Sequence, residues 1–336
     1  MSLTEARRVL TICTVCNYCN GFCETFRAAE RRRAFSDGDI LYLAHLCHNC
    51  GNCWPACQYA PPHPFAVNVP KTLAEVRRLS WRDRPWLALL CVLAAPALTL
   101  ALVPWSILFA PHRGPGAFYA VLPWPVLAVA ATLPLAISVA VLALGAVRFW
   151  RESGGGAPLQ ALPAALSDML TLRNLRGGGI DCEKGAARRL FHNALVYGVM
   201  LCFAATAIAT LYHHVLGLPA PYAWLSPPVL LGAAGGLGMI AGSAGLAWIK
   251  AKADPALDAA RKDYSFLALL FAVAATGLAL LLLRGTGAMG MLLAVHLGCV
   301  AGLFATLANG KFAHAPYRAA ALLRAAMERR RNASLQ

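Results

Sequence analysis

Hydrophobicity is unevenly placed along this chain. The first 85 residues mix charge, cysteine and short apolar runs, and beyond them come six long apolar stretches, near 87–109, 119–147, 191–216, 228–249, 264–283 and 288–310. About 20 apolar residues at ~1.5 Å rise per residue cross a bilayer core, so each stretch predicts a transmembrane helix. Asp and Glu are absent from all six cores. Pro96, Pro104, Pro123, Pro125 and Pro134 punctuate the first two spans, a feature that neighbouring helices in a bundle tolerate. Ahead of the spans, Glu24–Leu46 has no proline and is rich in straight-chain residues, with Ser36 or Asp37 as an N-cap, which predicts helix. Residues 71–84 read as a basic helix on the membrane surface, with Trp81 and Trp86 as interfacial anchors. The fold class is all-α, in five parts: a cysteine-rich domain (1–85), two spans (86–150), a Gly-rich connection packed on that domain (151–190), four spans (191–314) and a basic tail (315–336).

Composition agrees. Hydrophobic residues make up 59% and charged residues 13%, where a soluble protein carries about a quarter charged. A net charge of +15 raises the question of nucleic acid, but the placement of the charges answers it otherwise. Of 30 Lys and Arg, only Arg113 and Arg284 fall in the three loops on one side of the predicted bundle. The remainder lie before the first span, in 148–190, in 250–263 and from Lys311 onward. Such asymmetry places both termini and the cysteine domain in the cytoplasm of a multi-pass inner (cytoplasmic) membrane protein, with the lipid bilayer and no nucleic acid as partner. Met1 to Arg8 contains no apolar run of the signal-peptide kind. The cytoplasm is reducing, so the cysteines are read as thiols rather than disulfides.

The cysteines carry the chemistry. Cys13, Cys16, Cys19 and Cys23 form one C-x2-C-x2-C-x3-C run, and Cys47, Cys50, Cys53 and Cys57 repeat it. Cysteines three apart wrap one corner of a cubane, and in two-cluster proteins the fourth thiol of each run ligates the other cluster. The predicted sets for two [4Fe–4S] clusters are Cys13, Cys16, Cys19 with Cys57, and Cys47, Cys50, Cys53 with Cys23. Zinc is the competing reading, but zinc runs split into two pairs with a long insert. Cys91, Cys202 and Cys299 read as small core residues, and Cys182 has no assigned role. His45, His48 and His63, beside the runs, read as surface or hydrogen-bonding groups that tune potential.

Histidines within spans point to function, because ionisable groups there are rare. On a continuous last helix, His296 and His314 lie about five turns apart on one face, and His192 and His214 lie ~33 Å apart, about 40° off a common face. Spans three and six run antiparallel, so His192 faces His314 at the inner end, and His214 or His213 faces His296 at the outer end. Facing imidazoles are what a six-coordinate b-type haem requires, giving one haem, at the inner pair, with a second as the alternative should the outer pair also ligate. Lys311, Tyr317 and Arg318 either orient a quinone or a haem propionate, or snorkel to the interface.

The doubled run, the stretch RNLRGGGIDCEKGAARRLFHNALVYGVMLCFAAT (173–206) and FAHAPYR (312–318) together resemble the tricarballylate/citrate utilisation protein B (TcuB/CitB) family, also the C-terminal module of CobZ-type flavoproteins. The resemblance spans the chain. It implies an α-helical ferredoxin-like cluster domain and a six-helix bundle with a cytochrome-b-like haem site. It also implies re-oxidation of a TcuA-like, FAD-dependent tricarballylate dehydrogenase, with quinone as acceptor. The His296–His314 spacing is similar to the gamma subunit of membrane nitrate reductase, which holds two b haems. That subunit has two histidines about three turns apart on its other ligand helix, whereas Cys202 stands ten residues after His192. Neither cysteine run is followed by proline; Glu24 and Gln58 stand there. Other readings of the same wiring are an electron donor to a heterodisulfide-reductase-like or cobalamin ring-contraction enzyme, and a membrane redox sensor.

Overall fold

The computed structural model describes residues 2–157, 159–171, 183–257 and 261–333; Gly177–Gly179 and Cys182 lie outside them. The described residues contain helices and no strand. Four helices build the N-terminal part: α1 (Ser2–Cys16), α2 (Glu24–Glu30), α3 (Asp37–Leu46) and α4 (Val69–Arg77). Ser36 is the N-cap of α3 and forms a capping box with Asp39, as a serine three residues before an acid favours. α4 is shorter than the surface helix expected over 71–84. Its apolar face buries Val69, Leu73 and Val76 beside α1 rather than lying on lipid. Trp81 does not anchor at the interface either: it packs beside His45 and Tyr317, its indole N–H donating to Asp83. Trp86 is exposed.

Six helices are long and apolar enough to cross a membrane: α5 (Pro85–Leu102), α8 (Trp124–Glu152), α10 (Glu183–His214), α11 (Pro227–Ala251), α12 (Arg261–Leu283) and α13 (Met289–Thr306), with short α6 (Trp105–Leu108) and α7 (Ala117–Val121) between the first two. The chain is a multi-pass membrane protein. Prolines set two boundaries that hydropathy misplaced. α5 stops before Val103, which precedes Pro104, and α8 starts after Pro123; a residue before proline is pushed out of the helical region. α5 and α8 turn Leu89, Leu93, Val129, Leu133 and Leu144 outward, the face a bilayer would cover. α13 is the central helix, packed on α5, α8 and α12.

α10 runs along α11 over most of its length. Small residues permit this approach: a Cβ on Gly198 would stand 2.7 Å from the Gly235 carbonyl oxygen. The glycines of 232–245 therefore serve mainly helix packing.

The last span is not continuous to His314. α13 closes at Thr306, a 3-10 turn covers Lys311–Ala313, and α14 (His314–Ala333) follows as a separate helix. Sequence 315–336, expected as a basic tail, is therefore largely helical, and it docks on the N-terminal part. Ala321, Leu322 and Ala325 enter the same core as Ile40, Tyr42 and Leu43. α9 (Leu162–Leu170), in the connection after α8, packs against α14, and Asp168 pairs with Arg329 at 2.6 Å.

Charge fastens α14 at one point. Glu328 accepts from Arg32 (2.6 Å) and Arg324 (3.2 Å), and Asp39 accepts from the same two residues at 2.7 and 3.1 Å. Both guanidiniums lie over the Tyr42 ring. Removing one acid leaves two crowded, largely buried cations, so Glu328→Ala is expected to destabilise the fold by about 2 kcal/mol, read as a lowered melting temperature. Burial pushes the Asp39 pKa up, but hydrogen bonds from Arg32 and Ser36 and the charges of Arg32 and Arg324 hold it below the usual 3.8. The Asp39 contribution is thus complete above the unfolded value and is lost as pH falls through the lower folded one.

Candidate redox site

The two cysteine runs turn in the same way. The residue after the second cysteine of each run takes the left-handed conformation, Asn17 at φ 56° and Gly51 at φ 82°. Asparagine and glycine tolerate that region best. These turns fold the runs across one another. Cys13, Cys16, Cys19 and Cys57 line one small cavity, and Cys23, Cys47, Cys50 and Cys53 line a second. Both quartets contain the fourth cysteine of the other run.

Packed thiols resist ionisation. Burial, reinforced by Cys19 and Cys57, pushes the Cys13 thiol up to about 12, and burial with Cys47 does the same for Cys23. Cys53 is raised by burial and by Cys47, Cys50 and Cys23. Thiols raised in this way become thiolates beside compensating positive charge, such as a metal centre would supply. Among the described residues no three His, Cys, Asp or Glu gather closely enough to hold a single metal ion.

The second quartet sits at the junction with the bundle. Trp54 donates to Asp254 at 3.0 Å, Asn68 donates to the Ala256 carbonyl at 2.9 Å, and Gly51 abuts Leu257. The Cys47 carbonyl accepts from Arg77 at 2.7 Å and from Arg318, and the Asn49 carbonyl accepts from Arg188 at 3.1 Å. Arg318 thus reaches inward rather than snorkelling, and Tyr317 stacks on His45 with ring centroids 4.9 Å apart.

Behind this loop lies a cavity of about 280 Å³ that brings together His192 of α10 and His314 of α14, as the inner pair requires. His314 Nδ1 donates to the Lys311 carbonyl, which fixes Nε2 as the lone pair, the arrangement typical of a metal-bound imidazole. His192 Nδ1 is buried without a hydrogen-bond partner. Arg77, Arg78, Arg188, Lys250, Lys311 and Arg318 face the cavity against two acids, Asp83 and Asp254. Two imidazoles and an excess of cations would suit a haem: His192 and His314 would hold its iron, and the arginines and lysines would face its propionates. Burial, with the Arg77 charge beside it, pushes the Arg318 pKa down to about 9, so an anion there would be strongly held.

The outer pair is not brought together. His296 lines a separate cavity of about 420 Å³ between the far halves of α10, α11, α12 and α13. His213 and His214 line neither cavity. Both pack on Trp124 at the start of α8, His213 parallel to the indole and His214 edge-on. The pairing required the end of α10 to face α13, but α10 packs along α11 and its last two histidines turn to Trp124.

His48 was underestimated. It lines both the second cysteine cavity and the His192–His314 cavity, and burial with Arg318 and Arg77 nearby lowers its pKa well below 6.5. Nothing periodic in the sequence singles it out; its only signal is its place between Cys47 and Cys50. His45 is a core residue bonded to Ser80 at 2.8 Å. His63 accepts from the Phe65 amide.

An all-helical membrane protein with a doubled thiol site docked on its bundle belongs to the class of membrane proteins that carry a ferredoxin-like domain. Comparison with known sequences makes this specific. The sequence model of citrate utilization protein B matches residues 78–335, and that of the citrate utilization protein B Fer4-like domain matches residues 6–91. The chain is also 44% identical to a citrate utilization protein B of Escherichia coli, over 97% of this chain and 93% of the relative. The chain belongs to the citrate utilization protein B family. No solved structure matches it.

Proposed function

We propose that the protein is an electron relay. It takes electrons from a soluble FAD-dependent, tricarballylate dehydrogenase-like partner and delivers them to membrane quinone. The observation that carries this reading is one loop, Cys47–Asn49. It lies in the wall of the second thiol cavity and, through His48 and Asn49, in the wall of the His192–His314 cavity.

The first quartet is the distal one. Val15, Tyr18 and Phe65 stand exposed around it, an apolar surface that suits a docking flavoprotein. Cys13, Cys16, Cys19 and Cys57 would hold one [4Fe–4S] cluster, and Cys23, Cys47, Cys50 and Cys53 the other. His192 and His314 would hold a b-type haem. Bound there, these groups supply one-electron carriage, which divides the electron pair of a flavin. The protein supplies the rest: Arg77 and Arg318 bind the Cys47 carbonyl and set positive charge between the two sites, and Lys311 orients His314. The Lys/Arg asymmetry supports a cytoplasmic place for the cluster domain and both termini.

Anaerobic absorption spectra of the purified protein test this. Dithionite is expected to bring up reduced b-type haem bands, and added quinone to remove them. Iron-free protein carrying zinc, or haem bands that quinone leaves unchanged, would refute the relay.

A further inference from the structure

We propose that the far cavity is a quinone site built around His296, rather than a second bis-histidine haem site. This inference rests on the relay and supplies its acceptor end. Among the described residues no second histidine lines the cavity with His296. The nearest candidates by sequence, His213 and His214, are packed on Trp124.

The hydrogen bonds of Thr276 decide what His296 can do. Thr276 Oγ1 lies 2.6 Å from the Ala272 carbonyl oxygen and 3.0 Å from His296 Nδ1. The hydroxyl has one proton, and a carbonyl oxygen can only accept. That proton goes to Ala272, so His296 Nδ1 must carry the hydrogen and donate to Thr276. Nε2 is then the ring nitrogen left for the cavity. It can take a proton and pass it on while Nδ1 stays fixed.

The wall is mostly apolar. Val199, Phe203, Ala233, Val273 and Leu281 face the void, with Thr206, Tyr222 and Arg284 as further polar side chains; a few polar groups in an apolar chamber are the usual composition of a small-molecule site. The cavity lies among spanning helices, where a lipophilic molecule with an isoprenoid tail is at home. It begins close to the inner cavity: Leu195 faces one and Val199 the other, four residues or ~6 Å apart along α10.

A ring carbonyl oxygen placed at Nε2 would be protonated there. Reduction of the quinone to quinol takes two electrons, delivered singly from the inner site, and two protons. Each C=O becomes C–OH. Nε2 first takes a proton from solvent at the far mouth beside Arg284 and hands it to that ring oxygen as the electrons arrive, and solvent supplies the second proton.

The experiment uses full-length protein with its clusters and haem, in lipid nanodiscs, and a ubiquinone with a two-unit tail. Two variants are needed. His296→Ala removes the polar partner. Gly232→Leu fills the void from another wall, where an added Cβ would meet only Ala205 at 3.7 Å. Both are expected to keep wild-type haem per protein and to weaken quinone binding roughly tenfold or more, with slower re-oxidation of reduced haem. If His296→Ala halves the haem content, His296 is a haem ligand and the proposal falls. Wild-type quinone binding and re-oxidation in both variants also overturn it, while leaving the relay intact. Quinone that binds the wild type, needs His296, and never re-oxidises haem would uphold the site and sink the relay.

Discussion

Replacing His314 by alanine is expected to yield protein that keeps its iron–sulfur absorbance and loses nearly all of its haem. The expectation follows from how the inner cavity is assembled. His314 opens α14, and its Nδ1 is held by the Lys311 carbonyl within the 3-10 turn that precedes it. Among the described residues no other histidine of the last two helices lines that cavity, and His192 and His48 are the histidines that share it. His192→Ala is expected to behave alike, since one imidazole cannot complete a six-coordinate iron. His213→Ala and His214→Ala provide the contrast: their rings pack on Trp124, so haem content is expected to stay at the wild-type level. A pyridine haemochrome assay with parallel iron and sulfide analysis separates these outcomes. Full haem retention in both His192→Ala and His314→Ala would remove the inner site.

What could be read from the sequence divides along the range of the interactions concerned. The thiol quartets were legible because the spacing within each run is local. The crossing of the fourth cysteine then follows from packing two identical turns, as Asn17 and Gly51 show. The spans were legible from hydropathy, and their ends failed where proline chemistry outweighs apolarity, at Pro104 and Pro123. The outer histidine pair was not legible. It required the end of α10 to face α13, and the contacts of His213 and His214 with Trp124, about 90 residues away in sequence, decide otherwise. Arg318 and Tyr317 were ambiguous for a different reason. Their partners, Cys47 and His45, are about 270 residues away in sequence, and only the docking of α14 on the cluster domain brings them together. The same docking makes Glu328 an anchor, although a glutamate within a basic C-terminal stretch reads as solvated.

The crossed arrangement of thiols leads to an asymmetric result for two serine substitutions. Cys57→Ser removes a thiol from the distal quartet and Cys23→Ser one from the quartet at the junction. Each is expected to lower iron from about eight to about four per chain. Their effects on the relay should differ. In Cys57→Ser the junction quartet survives, and with it the loop whose Cys47 carbonyl receives Arg77 and Arg318. Haem in this variant is expected to be reduced by a small reductant but not by the flavoprotein. In Cys23→Ser the quartet beside His48 is broken, and the contacts of Asn49 with Arg188 and of Gly51 with Leu257 lose their inner support. Both the spectroscopic link to haem and the melting temperature are expected to fall. If each run instead held its own cluster, the assignments would invert: Cys23→Ser would strip the first run and spare the junction, and Cys57→Ser would uncouple haem. Paramagnetic resonance of the surviving cluster, read together with haem reduction in both variants, decides between the two, because the cluster nearer the haem is the one whose signal broadens when the haem is oxidised.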